Sequence, residues 1–255
     1  MGESLGYQAR LAAIDRAGLS SLFRAGLVGL EKEALRVSPA GTISGKPHPA
    51  VFGSAPTHPY ITTDFSEALL ELITPALADM AEVLGFLDDL HTFIHSHLDD
   101  EILWGASMPC VLEGADRIPL ARYGRSNASQ MKTIYRRGLG YRYGRTMQVI
   151  AGVHYNCSFR DDFWGAYQDL MGDTGDPVAF RSESYMGLVR NIQRYGWLIP
   201  YLFGASPAVC KTFVQGADTD LVPFDSSTLH YPYATSLRLG DIGYQNRQEE
   251  GTGIK

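Results

Sequence analysis

Apolar side chains recur at helical spacing over residues 5–18 and stop near Gly18. The next stretch, "GLVGLEKEALRV" at residues 26–37, changes period and predicts a strand. Side chains on a strand alternate between faces, so Leu27, Gly29, Glu31, Glu33, Leu35 and Val37 share one side while Lys32 points to the other. A turn follows at Ser38-Pro39-Ala40-Gly41. Residues 42–59, rich in Gly, Pro, His and Thr, predict a long loop with no regular element. "YITTDFSEALLELITP" fits either period. A helix would line up Asp64, Glu67 and Glu71, whereas a strand would put Glu67 and Glu71 on one face with Leu69 and Ile73. Residues 79–98 predict a helix striped by Met80, Val83, Leu84, Leu87, Leu90, Ile94 and Leu98.

"TMQVIAGVHYNCSF", residues 146–159, alternates cleanly and predicts a second strand. Met147, Val149, Ala151, Val153, Tyr155, Cys157 and Phe159 form the face expected to pack on a core; His154 and Asn156 lie side by side on the polar face. A second amphipathic helix is expected over 182–199, stopped by Pro200, followed by the punctuated "PYLFGASPAVC" and an extended "PYATSLRL". Without regular βαβ alternation, these elements predict an α+β fold with an antiparallel sheet. The polar ending "YQNRQEEGTGIK" suggests a chain cut at a connection, and no internal domain boundary is evident.

The 255 residues, 45% hydrophobic, suffice for a sizeable core. No apolar run approaches the roughly 20 residues that cross a bilayer, and the N-terminus lacks the order of a secretory signal. A soluble, cytoplasmic protein without membrane contact is expected. Cys110, Cys157 and Cys210 are odd in number and widely spaced, which argues against a disulfide framework or structural zinc; small buried residues are expected instead.

The net charge of −6 argues against general nucleic-acid binding, but the charge is unevenly distributed. Between Asp116 and Asp161 there is no acid, only Arg117, Arg122, Arg125, Lys132, Arg136, Arg137, Arg142, Arg145 and Arg160, interleaved with Tyr123, Tyr135, Tyr141 and Tyr143. Such an interval suits a solvated surface, a nucleic-acid contact, or a pocket for a small multiply charged anion.

Glu31 and Glu33 form either a solvated edge or a cation site. Leu27, Leu35 and Val37, which favour burial on the same face, support the second reading. Carboxylate oxygens suit Mg²⁺, and Asp64 and Glu71 raise the number of oxygens beyond what one ion needs. His154 is either a hydrogen-bonded sheet histidine or a metal ligand or proton carrier aimed into a cleft. His91 and His95, an i, i+4 pair without the glutamate of HExxH, suit a structural or solvated role. No GxxxxGK[ST] is present, so an ordinary P-loop is excluded.

Several stretches together resemble the gamma-proteobacterial type of glutamate–cysteine ligase. They are "GLEKEALRV", "ITTDFSEALLELITP", "SMPC", "YGRSN", "KTIYRRGL", "GVHYN", "YGWLIPYLFGASPA" and "PYATSLRLGDIGY", in order along nearly the whole chain. The resemblance implies a curved antiparallel sheet with helices outside, like glutamine synthetase in outline. It also implies ATP-dependent joining of glutamate, as an acyl phosphate, to cysteine, the first step of glutathione synthesis. Glu31, Glu33, Asp64, Glu71 and His154 would hold Mg²⁺, with Mn²⁺ an alternative. Tyr135 and Tyr244 would sit at the cysteine pocket, Arg238 would grip a substrate carboxylate, and Arg136 and Asn156 would lie near the substrates. The resemblance favours strand for the later part of 61–75. Family members are about twice as long, so residues 1–255 are expected to be the N-terminal part of one catalytic domain, inactive alone. The rivals are a ligase using another amine and a catalytically silent binding chain.

Overall fold

The structure is a computed structural model that describes residues 6–109, 111–204, 206–214 and 218–237. Helices α1 (Tyr7–Arg16) and α2 (Ser20–Arg24) lead into an eleven-residue strand, β1 (Leu27–Val37). Strands β2 (Ile61–Thr63) and β3 (Leu69–Ile73) follow, then helix α3 (Met80–His95) and the short β4 (Ile102–Leu103). Helix α4 (Asn127–Tyr143), strand β5 (Val153–Ser158) and helices α5 (Asp161–Leu170), α6 (Pro177–Tyr195) and α7 (Leu198–Phe203) come next. Strands β6 (Ala208–Cys210), β7 (Val222–Pro223) and β8 (Thr228–His230) form a separate small antiparallel sheet.

The main sheet is built around β1, and every pairing in it is antiparallel. One edge of β1 takes β3, which in turn takes β2; the other takes β5 along its first half and β4 at its end. The sheet has two different faces. On one, Leu30, Ala34, Leu70 and Leu72 are buried beneath Val83, Leu87, Leu90 and Ile94 of α3. Asp79 caps that helix by accepting from the Ala81 N–H at 2.8 Å. On the other face, Leu35, Val37 and Leu69 enter a second core with Phe65, Ile118, Val149 and Ala151. That core ends one residue pair before Glu33, and from there the face is open.

The α+β expectation and the strand at 26–37 hold, and residues 61–75 are two strands, not a helix. Several expectations are corrected. Residues 146–159 are not one strand: Thr146–Val149 is a 3₁₀ turn, and β5 starts only at Val153. Val149 and Ala151 are buried as expected, but Val153, Tyr155 and Cys157 are exposed. They lie on the α3 side of an edge strand, while α3 packs over β1 and β3. Cys157 is therefore no core residue, Cys210 is half-buried, and Cys110 lies outside the described residues. Leu84 points to solvent, off the stripe of α3. Pro200 does not stop a helix at 199. The chain breaks at Gly196-Trp197 and Pro200 stands in the first turn of α7, where its missing N–H costs nothing. The described part of "PYATSLRL" is a turn, and the loop 42–59 contains a short 3₁₀ turn at Ala50–Phe52. Helices α4 and α5 carry no expectation above. Among α4's residues only Ser129 is buried, so the helix presents no buried apolar face to a core. Among the described residues no helix is long and apolar enough to cross a membrane.

The C-terminal end of β1 is fixed by a buried ion pair. Arg36, fully buried, donates from Nη1 to Glu101 Oε2 at 2.7 Å and from Nη2 to the carbonyls of Lys46, Pro47 and Glu67 at 2.9–3.2 Å. One guanidinium thus ties the long loop to both central strands. Removing it strands a buried carboxylate and three carbonyls. Arg36→Met is expected to lower unfolding stability by about 3–5 kcal/mol in urea titration; a loss below about 1 kcal/mol would mean the pair is dispensable.

Candidate active site

Strand register decides which side chains meet. Directly paired residues project to the same face, and β1 pairs Glu33 with Glu71 of β3 and Glu31 with His154 of β5. Asn156 stands opposite Gly29, one step along β5 on the same face, and its side chain reaches Glu31. Three carboxylates, an imidazole and an amide therefore share the open face. Asp64, just past β2, lies at its margin and is close enough to act electrostatically on both Glu33 and Glu71.

Each group is held differently. Glu33 Oε2 accepts the Gly152 N–H at 2.7 Å. A Cβ on Gly152 would sit 3.3 Å from His154 Nε2 and 3.4 Å from that same Glu33 oxygen, so glycine lets the backbone approach both. Glu31 Oε1 accepts from Asn156 Nδ2 at 3.0 Å, and its Oε2 lies 3.2 Å from His154 Nδ1, which donates in the Nδ1–H tautomer. A cavity of about 210 Å³ borders Glu31 and Asn156, with Gly29 and Thr74 in its wall.

Burial and repulsion act together on the central carboxyls. Partial burial raises Glu33, opposed by the Gly152 hydrogen bond and reinforced by Asp64 and Glu31. Glu71 is pushed up to about 7, first by burial and then by Asp64, Glu33 and Glu31. Against these three acids His154 acts on Glu71 in the opposite sense.

At the margin of this face Arg136, on α4, meets Asp64. Its Nε donates to the Asp64 carbonyl, its Nη2 is 3.9 Å from the Asp64 carboxylate, and its guanidinium lies 4.7 Å over the Tyr123 ring. Tyr123, buried, donates to the carbonyls of Thr63 at 2.7 Å and Asp64 at 3.0 Å. It braces both Asp64 and Arg136. The sequence offered Tyr123 only as one tyrosine in a basic interval, and it offered nothing for Gly152 beyond its place before His154. Tyr135 is exposed on α4 beside Arg136. Arg238 and Tyr244 lie outside the described residues. His91 is half-buried and His95 exposed on α3, their rings 6.4 Å apart, away from the carboxylate face.

Among the described residues no three His, Cys, Asp or Glu side chains already converge at metal-binding distance. His154 and Asn156 are instead turned onto Glu31. The donor chemistry nonetheless fits a hard divalent cation: carboxylate oxygens predominate, one imidazole stands among them, and the central acid is destabilised by its neighbours' charge.

A family model described as glutamate–cysteine ligase matches residues 11–255. The chain belongs to the glutamate–cysteine ligase family. It is 51% identical to the glutamate–cysteine ligase of Alcanivorax borkumensis over 89% of this chain and 43% of that protein. To that of Azotobacter vinelandii it is 49% identical, over 95% of this chain and 46% of the relative. Among solved structures, the glutamate–cysteine ligase of Francisella tularensis in complex with AMP superimposes with a TM-score of 0.78 at 38% identity. That match covers 86% of this chain and 43% of that one. A bifunctional glutathione synthetase from Pasteurella multocida gives 0.77 at 32%, over 94% and 30%. The chain spans less than half the length of the relatives it matches, and its α+β architecture is theirs.

The raised carboxyl of Glu71 predicts a pH-dependent stability. Folding favours its protonated form, so that contribution is complete below the ordinary value of 4.5 and is lost as pH rises through about 7. In EDTA, Glu71→Gln is expected to stabilise this family member by about 1–2 kcal/mol near pH 8, discounted for solvent screening, and by almost nothing near pH 4. Urea titrations at both pH values check this; an equal effect at the two would remove the raised Glu71 carboxyl from the account.

Proposed function

We propose that this chain forms one wall of the active site of a glutamate–cysteine ligase and is the N-terminal part of its catalytic domain, working in the cytoplasm. The observation that carries the reading is the carboxylate face itself: strand register brings Glu31, Glu33, Glu71 and His154 together, with Asp64 and Arg136 at the margin. The reaction is the ATP-driven joining of L-glutamate to L-cysteine. The γ-phosphoryl group passes to the side-chain carboxylate of glutamate, leaving ADP and an acyl phosphate. The cysteine amine then attacks the acyl carbon, phosphate departs, and the amine loses a proton.

Glu31, Glu33, Asp64, Glu71 and His154 are the residues that would hold Mg²⁺, or Mn²⁺ in its place. When bound, the metal supplies neutralisation of the charge on the carboxylate nucleophile and the phosphate leaving group. Asn156 and His154 set the orientation of Glu31, and the Gly152 N–H sets that of Glu33. Arg136, braced by Tyr123 and the Asp64 carbonyl, presents guanidinium N–H groups to substrate anions. Tyr135, exposed nearby, and Tyr244 contact cysteine, and Arg238 grips a substrate carboxylate in a two-pronged hydrogen bond that lysine cannot match. Holding both amino acids in reacting geometry contributes through proximity.

The test replaces the matching segment of the Alcanivorax borkumensis relative with residues 11–255 and follows ADP release with glutamate, cysteine, ATP and Mg²⁺. The chimera is expected to turn over with cysteine in preference to other amines, and the 255-residue chain alone to show no detectable product. In the chimera, Glu33→Gln keeps the side chain's size and removes its charge, so turnover should fall by roughly a hundredfold or more with the fold intact. Near-normal turnover with unchanged Mg²⁺ dependence would refute the assignment.

A further inference from the structure

The basic interval divides in the fold. Arg136 turns to the carboxylate face, whereas Arg122, Arg137 and Arg145 line a different cavity of about 540 Å³. None of the residues assigned above to metal or substrate lines it. Arg145 donates to the Ile118 carbonyl at 3.3 Å, while the guanidiniums of Arg122 and Arg137 form no ion pair among the described residues.

The walls are fixed by buried polar contacts, not by surface chains alone. Glu67, almost fully buried, accepts the His48 N–H at 3.0 Å with one oxygen and the Arg122 N–H at 2.8 Å with the other, and its own N–H donates to the Pro119 carbonyl at 3.0 Å. Arg36 holds the Lys46 and Pro47 carbonyls on the facing loop. Thr133 Oγ1 donates to the Ala121 carbonyl at 3.3 Å, joining α4 to the same frame. The acids in the lining are Glu67, whose oxygens are already engaged, and Asp116. Pro47, Ile118, Pro119 and Leu120 supply the rest of the wall, largely apolar.

We propose that this cavity is a binding site for a small organic phosphate, distinct from the ligase site. Guanidiniums present paired N–H donors that match the oxygens of a phosphoryl group, and a framework fixed beforehand lowers the ordering cost of binding. The volume exceeds what a phosphate alone fills and lies in the range of small-molecule pockets, so the apolar wall is left for a carbon skeleton.

Calorimetry with phenyl phosphate and with inorganic phosphate tests this on the 255-residue chain. EDTA is present throughout, so that the metal-free carboxylate face repels anions. Saturable one-site binding is expected, tighter for phenyl phosphate. Arg122→Gln and Arg137→Gln, both exposed and harmless to the core, should each weaken it by about tenfold. Arg142→Gln, exposed on the same helix outside the cavity, should leave it unchanged. Absence of saturable binding, or equal weakening by all three substitutions, would overturn the site. Equal affinity for the two probes would overturn the organic character of its ligand. Because metal is withheld, the result does not depend on whether the ligase reading stands.

Discussion

The structure depends on a repulsion that its own backbone enforces. Antiparallel pairing sets Glu33 directly opposite Glu71, with Glu31 one step along β1 on the same face and Asp64 at the margin. A strand cannot turn one of these side chains away without turning its whole face, because the side-chain period is two. Leu35 and Val37, on that face, are locked into a core at 1% exposure each. The burial of the one pair therefore commits the other to standing together. Part of the cost is met by the Gly152 N–H, His154 and Asn156, and Arg136 lies at the rim. What remains, together with the partial burial of Glu71, appears as a carboxyl that keeps its proton to about 7.

The opposite end of β1 explains how the chain tolerates this. Arg36 and Glu101 pair out of water, and the same guanidinium gathers carbonyls from the loop and from the turn before β3. With α3 sealing the far face, β1 and β3 are gripped by two cores and one buried ion pair. Functional groups placed on such strands hold their spacing better than groups on loops. Tyr123 extends that rigidity to Arg136.

The acids were legible in the sequence because alternation needs no tertiary knowledge: Glu31 and Glu33 stand among Leu27, Leu35 and Val37 wherever β1 goes. The same holds for the His154/Asn156 pair. What local pattern could not supply was partnership. Whether Glu71 belonged to a helix or a strand turned on its pairing with Glu33 of β1, 38 positions away and outside the motif. Val153, Tyr155 and Cys157 have the spacing of a buried face, yet exposure depends on what packs over an edge strand. Helix α4 carries Met131, Ile134, Tyr135 and Leu139 at helical spacing, yet the first three face solvent, and which arginine turns to the carboxylate face depends on how this helix packs. The substrate roles rest on family resemblance, and Arg238 and Tyr244 among them lie outside the described residues.

The most direct test of the central claim is where a divalent cation settles. Mn²⁺ added in substoichiometric amount to the isotope-labelled chain broadens the NMR signals of nearby nuclei. Broadening is predicted to centre on Glu31, Glu33, Glu71 and His154, and to be lost in the Glu33→Gln variant. The exposed acids Asp99–Asp100 and Asp161–Asp162 are the natural competitors. Broadening centred on either of those pairs, with the β1 face untouched, would contradict the account.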